Sequence, residues 1–267
     1  MVEVVLLGSA QDGGVPQPGC DCCIDLPQRY PVSIGLTDAD GGHHLFEATR
    51  HLGDQLRIWG VSKVDSLFLT HAHFGHVDGL GLFGKETMNA QGIALHCSRQ
   101  MLELIERTPH WSLMLSQGVF NPRVASIVML PGVSVEAIPV PHRAELSDMH
   151  AYLIKAEKSL LFLPDHDTWQ ETLSGHDLRA WLNHLEVDIA LIDGTFFSSD
   201  ELSHRDQSQV PHPPIEQTLQ MLGERREGDG EVVFIHLNHT NPMCRDDTPV
   251  TELGWRIGCE GDRFKLK

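Results

Sequence analysis

Short apolar runs, each stopped by glycine, proline or an acid, predict strands alternating with short helices along the whole chain. Val2 to Leu7 is mostly Val and Leu, as expected of a strand covered on both faces, and it ends in Gly8-Ser9-Ala10 and a Gly/Pro-rich loop through Pro18. Val32 to Thr37 and His43 to Ala48 read as paired strands turned by Asp38 to Gly42. Leu52, Leu56 and Trp59 then recur at helical spacing, with Thr49 as the cap and Gly60 as the stop. The run Val64 to Leu69 predicts a buried strand, followed by an apolar-glycine segment, Gly79 to Gly84, and a strand at Ile93 to His96. Ser98 caps a helix carrying Met101, Leu102 and Ile105. Strands come next at Ser126 to Leu130 and Val133 to Val140. His150 to Ile154 and Ser159 to Leu163 read as a hairpin, with a helix from Thr168 to Leu185 and a buried strand at Val187 to Ile192. Pro213-Pro214 opens a helix through Leu222, and Glu231 to Ile235 is the last strand of the pattern.

The residues just past the strand ends carry the chemistry. Thr70-His71-Ala72-His73-Phe74-Gly75-His76 directly succeeds one strand; Pro141-His142 ends another, Asp165 and Asp193 end two more, and His236 ends the last. The chain has 17 histidines, which accounts for scattered ones such as His110, His176 and His184 as ordinary residues. It does not account for three packed between a buried strand and a Gly-rich turn, where a His-x-His pair can aim two neutral imidazoles at one ion. His71, His73, His76, His142, Asp165 and His236 are the candidate metal set, with Asp165 able to bridge two ions. His150 is an alternative to His142, and His166 and Asp167 are expected to support the ligands. His212, before a proline-opened helix, is either a proton donor to a leaving group or a plain loop histidine. The loop Phe196 to Pro214 is either a solvated surface segment or a lid.

At 267 residues and 41 % hydrophobic, the chain suits one α/β domain, residues 1–267, around one large core. A net charge of −17 opposes binding to nucleic acid or anionic membrane surfaces and leaves a small molecule as the expected partner; a homodimer stays open. Glu3 interrupts the first apolar run, no basic residue precedes it, and no run approaches the roughly 18 apolar residues of a membrane span, so the cytoplasm is the expected compartment. Six cysteines are too few for a disulfide scaffold, and Cys20, Cys22 and Cys23 crowd into one loop, which suits metal ligation under reducing conditions.

Thr-His-Ala-His-Phe-Gly-His, with His142, Asp165 and His236 in that order, resembles the His-x-His-x-Asp-His signature of the metallo-β-lactamase superfamily. The resemblance implies an αββα sandwich with metals at one edge. Leu7-Gly8-Ser9-Ala10-Gln11-Asp12-Gly13-Gly14-Val15-Pro16-Gln17, Cys20-x-Cys22, Asp193-Gly194-Thr195-Phe196-Phe197 and His236-Leu237-Asn238-His239-Thr240-Asn241-Pro242 are similar to the coenzyme pyrroloquinoline quinone synthesis protein B group and its broader relatives. Two departures stand out. The Asp between the second and third histidines is Gly75 here, which implies a firm ion at His71, His73, His142 and Asp165 and a weaker or absent second one. The acid ending the His43 to Ala48 strand is Glu47, expected as support rather than ligand.

The cysteine loop resembles that of a cyclic phosphate phosphodiesterase of phosphonate breakdown, which implies a structural zinc on Cys20, Cys22 and His239, completed by Cys23 or Asp25, with Cys23 the softer donor. The expected activity is hydrolysis of an ester-like bond, phosphodiester or lactone among them, by a metal-bound hydroxide, with Asp165 and His212 as catalytic residues. Zinc is the expected ion, with manganese or iron as alternatives at the active site. An iron-dependent oxidative enzyme of quinone cofactor maturation and a non-catalytic metal-binding protein are the competing readings.

Overall fold

The computed structural model describes residues 1–202 and 209–267. Among them the strands form two sheets of seven. The first runs β14 (Arg263–Lys265), β1 (Glu3–Gly8), β2 (Ser33–Thr37), β3 (His43–Phe46), β4 (Ser66–Phe68), β5 (Ile93–His96) and β6 (Phe120–Arg123). The second runs β13 (Arg256–Ile257), β12 (Glu231–Ile235), β11 (Ile189–Asp193), β10 (Ser159–Leu163), β9 (Met149–Lys155), β8 (Val133–Val140) and β7 (Ile127–Leu130).

Alternation along the strands builds three apolar layers. Val4, Leu6, Ile34, Phe46 and Phe68 of the first sheet meet Tyr152, Ile154, Phe162, Leu191 and Val233 of the second, with Phe46 stacked on Phe68 at 4.6 Å between ring centres. The opposite face of the first sheet, including Val5, Leu45, Leu67 and Leu95, is covered by α1 (Leu52–Trp59), α3 (Arg99–Arg107) and α4 (Pro109–Ser116). The second sheet buries Leu153, Leu161, Ile192 and Phe234 under α5 (Trp169–Leu173), α6 (Leu178–His184), α7 (Ile215–Leu222) and α8 (Thr248–Thr251). This is the αββα sandwich that the resemblance implied.

Three local expectations are corrected. The helix expected from Thr168 to Leu185 is two helices, because Ser174 and Gly175 take left-handed backbone angles and Asp177 caps a fresh start by accepting from the Ala180 N–H. Thr49 does not cap α1: His51 holds that position, and the Thr49 hydroxyl instead accepts from His51 N and donates to Gln55 Oε1. The histidine segment contains a short helix, α2 (Phe74–Val77), rather than a bare turn. Helix α4 and strands β6, β13 and β14 also lack a clear apolar period, and the sequence pattern does not reveal them. The lid reading for the loop from Phe196 to Pro214 falls in part on residues 203–208, outside the described residues.

Candidate metal centre

Strand direction gathers the site. β3 and β4 run parallel, and β1 points the same way because two antiparallel steps separate it from β3; β10, β11 and β12 are parallel, and β8 matches them through β9. Their carboxyl ends therefore open on one edge, where Asp12, Glu47, His71, His142, Asp165, Asp193 and His236 lie at or beyond the ends of β1, β3, β4, β8, β10, β11 and β12. Glu47 and His236 leave their strands with φ of 68° and 63°, left-handed angles that non-glycine residues seldom adopt and that turn the chain sharply at the site.

Four overlapping groups of metal-capable donors meet there, two of them built on Asp165, with His71 and His76 in one and with His212 and His236 in the other. His71, His73 and His142 converge, with His142 Nε2 only 3.2 Å from His73 Nδ1. Beside them, Asp12 Oδ1 lies 3.4 Å from His76 Nε2 and 3.8 Å from His236 Nε2. Asp165 stands between, its Oδ2 3.2 Å from His76 Nε2 and its Oδ1 3.4 Å from His236 Nε2 and 3.9 Å from His142 Nε2. All six candidate residues are therefore brought together. Asp12, which was not among them, completes the second group. The signal for it was available, since it lies past a strand end as the others do.

Four of the five imidazoles, all but that of His76, are aimed by a partner on the other nitrogen, the arrangement that fixes ligand tautomers in metal sites. Thr70 Oγ1 holds His71 Nδ1 at 2.9 Å, Glu145 Oε2 holds His73 Nε2 at 3.2 Å, Asp167 Oδ1 holds His142 Nδ1 at 3.0 Å and Thr195 Oγ1 holds His236 Nδ1 at 2.8 Å. Glu47, fully buried, accepts from Thr70 N and sets its Oε2 3.7 Å from His76 Nδ1, the supporting position expected of it. Among the buried atoms without a hydrogen-bond partner are three a metal would need, His71 Nε2, His236 Nε2 and Asp165 Oδ2, beside His76 Nδ1 and Glu47 Oε2. The two groups differ electrostatically. Burial lowers His71 well below the ordinary imidazole value and His142 to about 3, so both stay neutral as ligands must. Burial also disfavours charge on His76, but Asp165, Asp12 and Glu47 together outweigh it and raise the ring well above its ordinary value. That pocket of three carboxylates favours a positive charge. The residues present fit divalent metal.

His212 joins the same edge. Its Nδ1 lies 2.7 Å from Asp193 Oδ2, and its ring centre is 5.5 Å from that of His142 and 5.6 Å from that of His236. Burial lowers its proton affinity, yet the Asp193 charge and hydrogen bond more than compensate, and the net shift is upward. His150 is excluded as a ligand: it lines a separate cavity of about 290 Å³ with His96, Asp148 and Tyr152, and donates its backbone N–H to Thr70 O. Asp167 supports His142 as expected, while His166 turns away to Thr172 Oγ1.

The second cluster is Cys20, Cys22 and His239, with the two sulfurs 2.7 Å apart. Their hydrogen bond lowers Cys20 and raises Cys22 to about 11. Cys23 lies outside this three-donor group, although its sulfur reaches back to Cys20 O at 3.8 Å. It is buried in the apolar core, where its sulfur accepts from Gln17 N at 3.2 Å, and Asp25 is exposed outside the group. The apolar pull of the core on a small thiol decides between Cys23 and its neighbours.

The chain matches the family model of the beta-lactamase superfamily domain over residues 36–237 and belongs to that superfamily. It is 23 % identical to the coenzyme PQQ synthesis protein B of Methylobacterium sp. (strain 4-46), over 97 % of this chain and 98 % of that protein. Its fold is similar to that of zinc-bound PqqB from Methylobacterium extorquens, with a TM-score of 0.82 at 22 % identity over 99 % of this chain and 100 % of the other. A diphosphatase from the PhnP family is also similar, with a TM-score of 0.73 at 18 % identity over 100 % of this chain and 98 % of that one.

Proposed function

We propose that this member of the beta-lactamase superfamily is a metal-dependent hydrolase of small ester-like molecules, anionic phosphodiesters before neutral lactones. The observation that carries the reading is Asp165, wedged between His71, His73 and His142 on one side and Asp12, His76 and His236 on the other. A pair of divalent ions held there would supply an activated water and stabilise charge on the attacking and leaving oxygens. Gly75 counts against phosphodiester chemistry by removing a carboxylate from the second position; Asp12 brings one back.

The remaining roles belong to side chains. His212, kept proton-bearing by Asp193, is placed to hold a proton for the leaving group. Arg143, next in the chain after His142, has a buried Nε without a partner, which suits an anionic substrate. Phe74, 71 % exposed beside His73, offers an apolar rim for the rest of a small molecule. The acidic chain supports a small-molecule partner over nucleic acid or a membrane surface, and the described residues contain no helix long and apolar enough to cross one. Six free cysteines, Cys20 and Cys22 among them, suit a reducing interior such as the cytoplasm.

The test is turnover of bis(4-nitrophenyl) phosphate, cyclic nucleotides, diphosphate esters and lactones, with metal content counted on the same samples. His73→Ala is expected to lose both an edge ion and activity. A variant that keeps its full metal, or native protein whose phosphodiester turnover survives complete removal of metal, refutes the reading; substantial iron with oxygen consumption would redirect it to oxidative chemistry.

A further inference from the structure

We propose that Asp12 is the carboxylate ligand of the second ion, taking the place left by Gly75, and that the amino-terminal loop and its Cys20, Cys22 and His239 clamp therefore govern how tightly that ion is held. This rests on the reading of the strand edge as a metal centre. The geometry is exclusive. A Cβ at position 75 would lie 2.5 Å from Asp12 Cα and 2.6 Å from Asp12 Oδ1, so the loop can carry its carboxylate to this place only because residue 75 has no side chain. The missing side chain on α2 and the acid on the loop after β1 thus fit one another sterically. Asp12 Oδ1 then faces two buried groups that share its pocket, His76 Nε2 at 3.4 Å and His236 Nε2 at 3.8 Å, both of which also face Asp165.

Moving the carboxylate changes what controls the ion. An acid at position 75 would ride on α2, next to His73 and His76. Asp12 instead rides on the loop between β1 and β2, which is stitched to the segment after β12: Gln11 N donates to Leu237 O, Leu237 N donates to Ser9 O, and Arg245 Nη2 donates to Cys22 O at 2.7 Å. The three-donor clamp joins the same two segments, Cys20 and Cys22 from one and His239 from the other. Metal on the clamp would hold together the two chain stretches that carry Asp12 and His236, whereas His71, His73 and His142 come from other strands.

Zinc titration of the whole chain, with chelator competition and elemental mass spectrometry to count ions, tests this. Native protein is expected to hold two edge ions and one clamp ion. Asp12→Asn should weaken the second edge ion by roughly tenfold or more while the first and the clamp ion stay. Gly75→Ala should act the same way with Asp12 intact, by pushing the loop backbone away. Cys22→Ser, or His239→Asn should the former not fold, should lose the clamp ion and weaken the second edge ion more than the first; combined with Asp12→Asn it should add no further loss at the edge. Asp12→Asn at native second-ion affinity overturns the ligand assignment, and equal weakening of both edge ions by the clamp variants overturns the dependence on the clamp. Native protein with no edge ion at all overturns the metal centre itself, an outcome separate from either.

Discussion

Asp193→Asn changes one atom and should cost far more than its size suggests. The fully buried Asp193 carboxylate accepts four hydrogen bonds: Oδ1 takes Thr195 N at 2.9 Å and Thr195 Oγ1 at 2.7 Å, and Oδ2 takes His212 Nδ1 at 2.7 Å and His166 N at 3.3 Å. An amide offers one oxygen and two N–H donors. If the oxygen keeps Thr195, the amide nitrogen faces two donors. His212 must then give up its Nδ1 proton, and His166 N loses its acceptor. Losing a charge-assisted bond costs about 1.5–3 kcal/mol and leaving a buried N–H unpaired costs about 1–3 kcal/mol, so the sum is roughly 2.5–6 kcal/mol, which brackets the roughly 3–5 kcal/mol for breaking a buried pair. That is a large share of the roughly 5–15 kcal/mol of a native domain. Urea denaturation of chelator-treated protein measures it without metal linkage. In metal-loaded protein, histidine ¹⁵N spectra should show His212 changing tautomer. Thr195, which keeps the amide oxygen as its acceptor, should go on holding His236 Nδ1. A loss below about 1 kcal/mol with native His212 resonances would refute the reasoning, because the four-bond account allows no such tolerance.

His212→Ala should leave metal content intact and lower phosphodiester turnover by roughly 10²- to 10⁴-fold, the usual worth of a positioned acid or base, with the loss smallest for substrates whose leaving group needs no proton; equal losses across leaving groups count against a proton-donor role. Stability should also depend on pH through His96, away from the edge. Its ring stacks on Phe68 at 4.4 Å, its Nδ1 is buried without a partner, and burial lowers it to about 4. A base with a depressed folded value binds fewer protons folded than unfolded between about 4 and 6.5, so stability is lost as pH falls through that window. His96→Phe should flatten the difference between urea midpoints at pH 7 and pH 5 relative to native protein. An unchanged difference removes His96 as its source.

Some of this architecture is legible before folding because the rule that builds it is local. Strands covered on both faces write continuous apolar runs, and the residue after each run is the one a sheet edge displays; that rule found His71, His142, Asp165 and His236 by position alone. It also applied to Asp12, but the glycine, proline and polar residues around it read as an ordinary loop. Helix breaks were harder to see. Ser174 and Gly175 split a continuous apolar pattern that looked like one helix through Leu185. Cys23 could not be sorted from Cys20 and Cys22 because its fate depends on a core assembled from distant strands and helices.

Residue order alone determined most of the strand runs, the histidine and acid inventory, and the family likeness, since each is a property of consecutive residues. Tertiary structure decided which loop supplies the second carboxylate, which imidazole nitrogen faces the centre, and which thiol turns inward. Those outcomes depend on distances between residues far apart in the chain: position 75 lacks a side chain, and only the packed fold brings the backbone of residue 12 into that space.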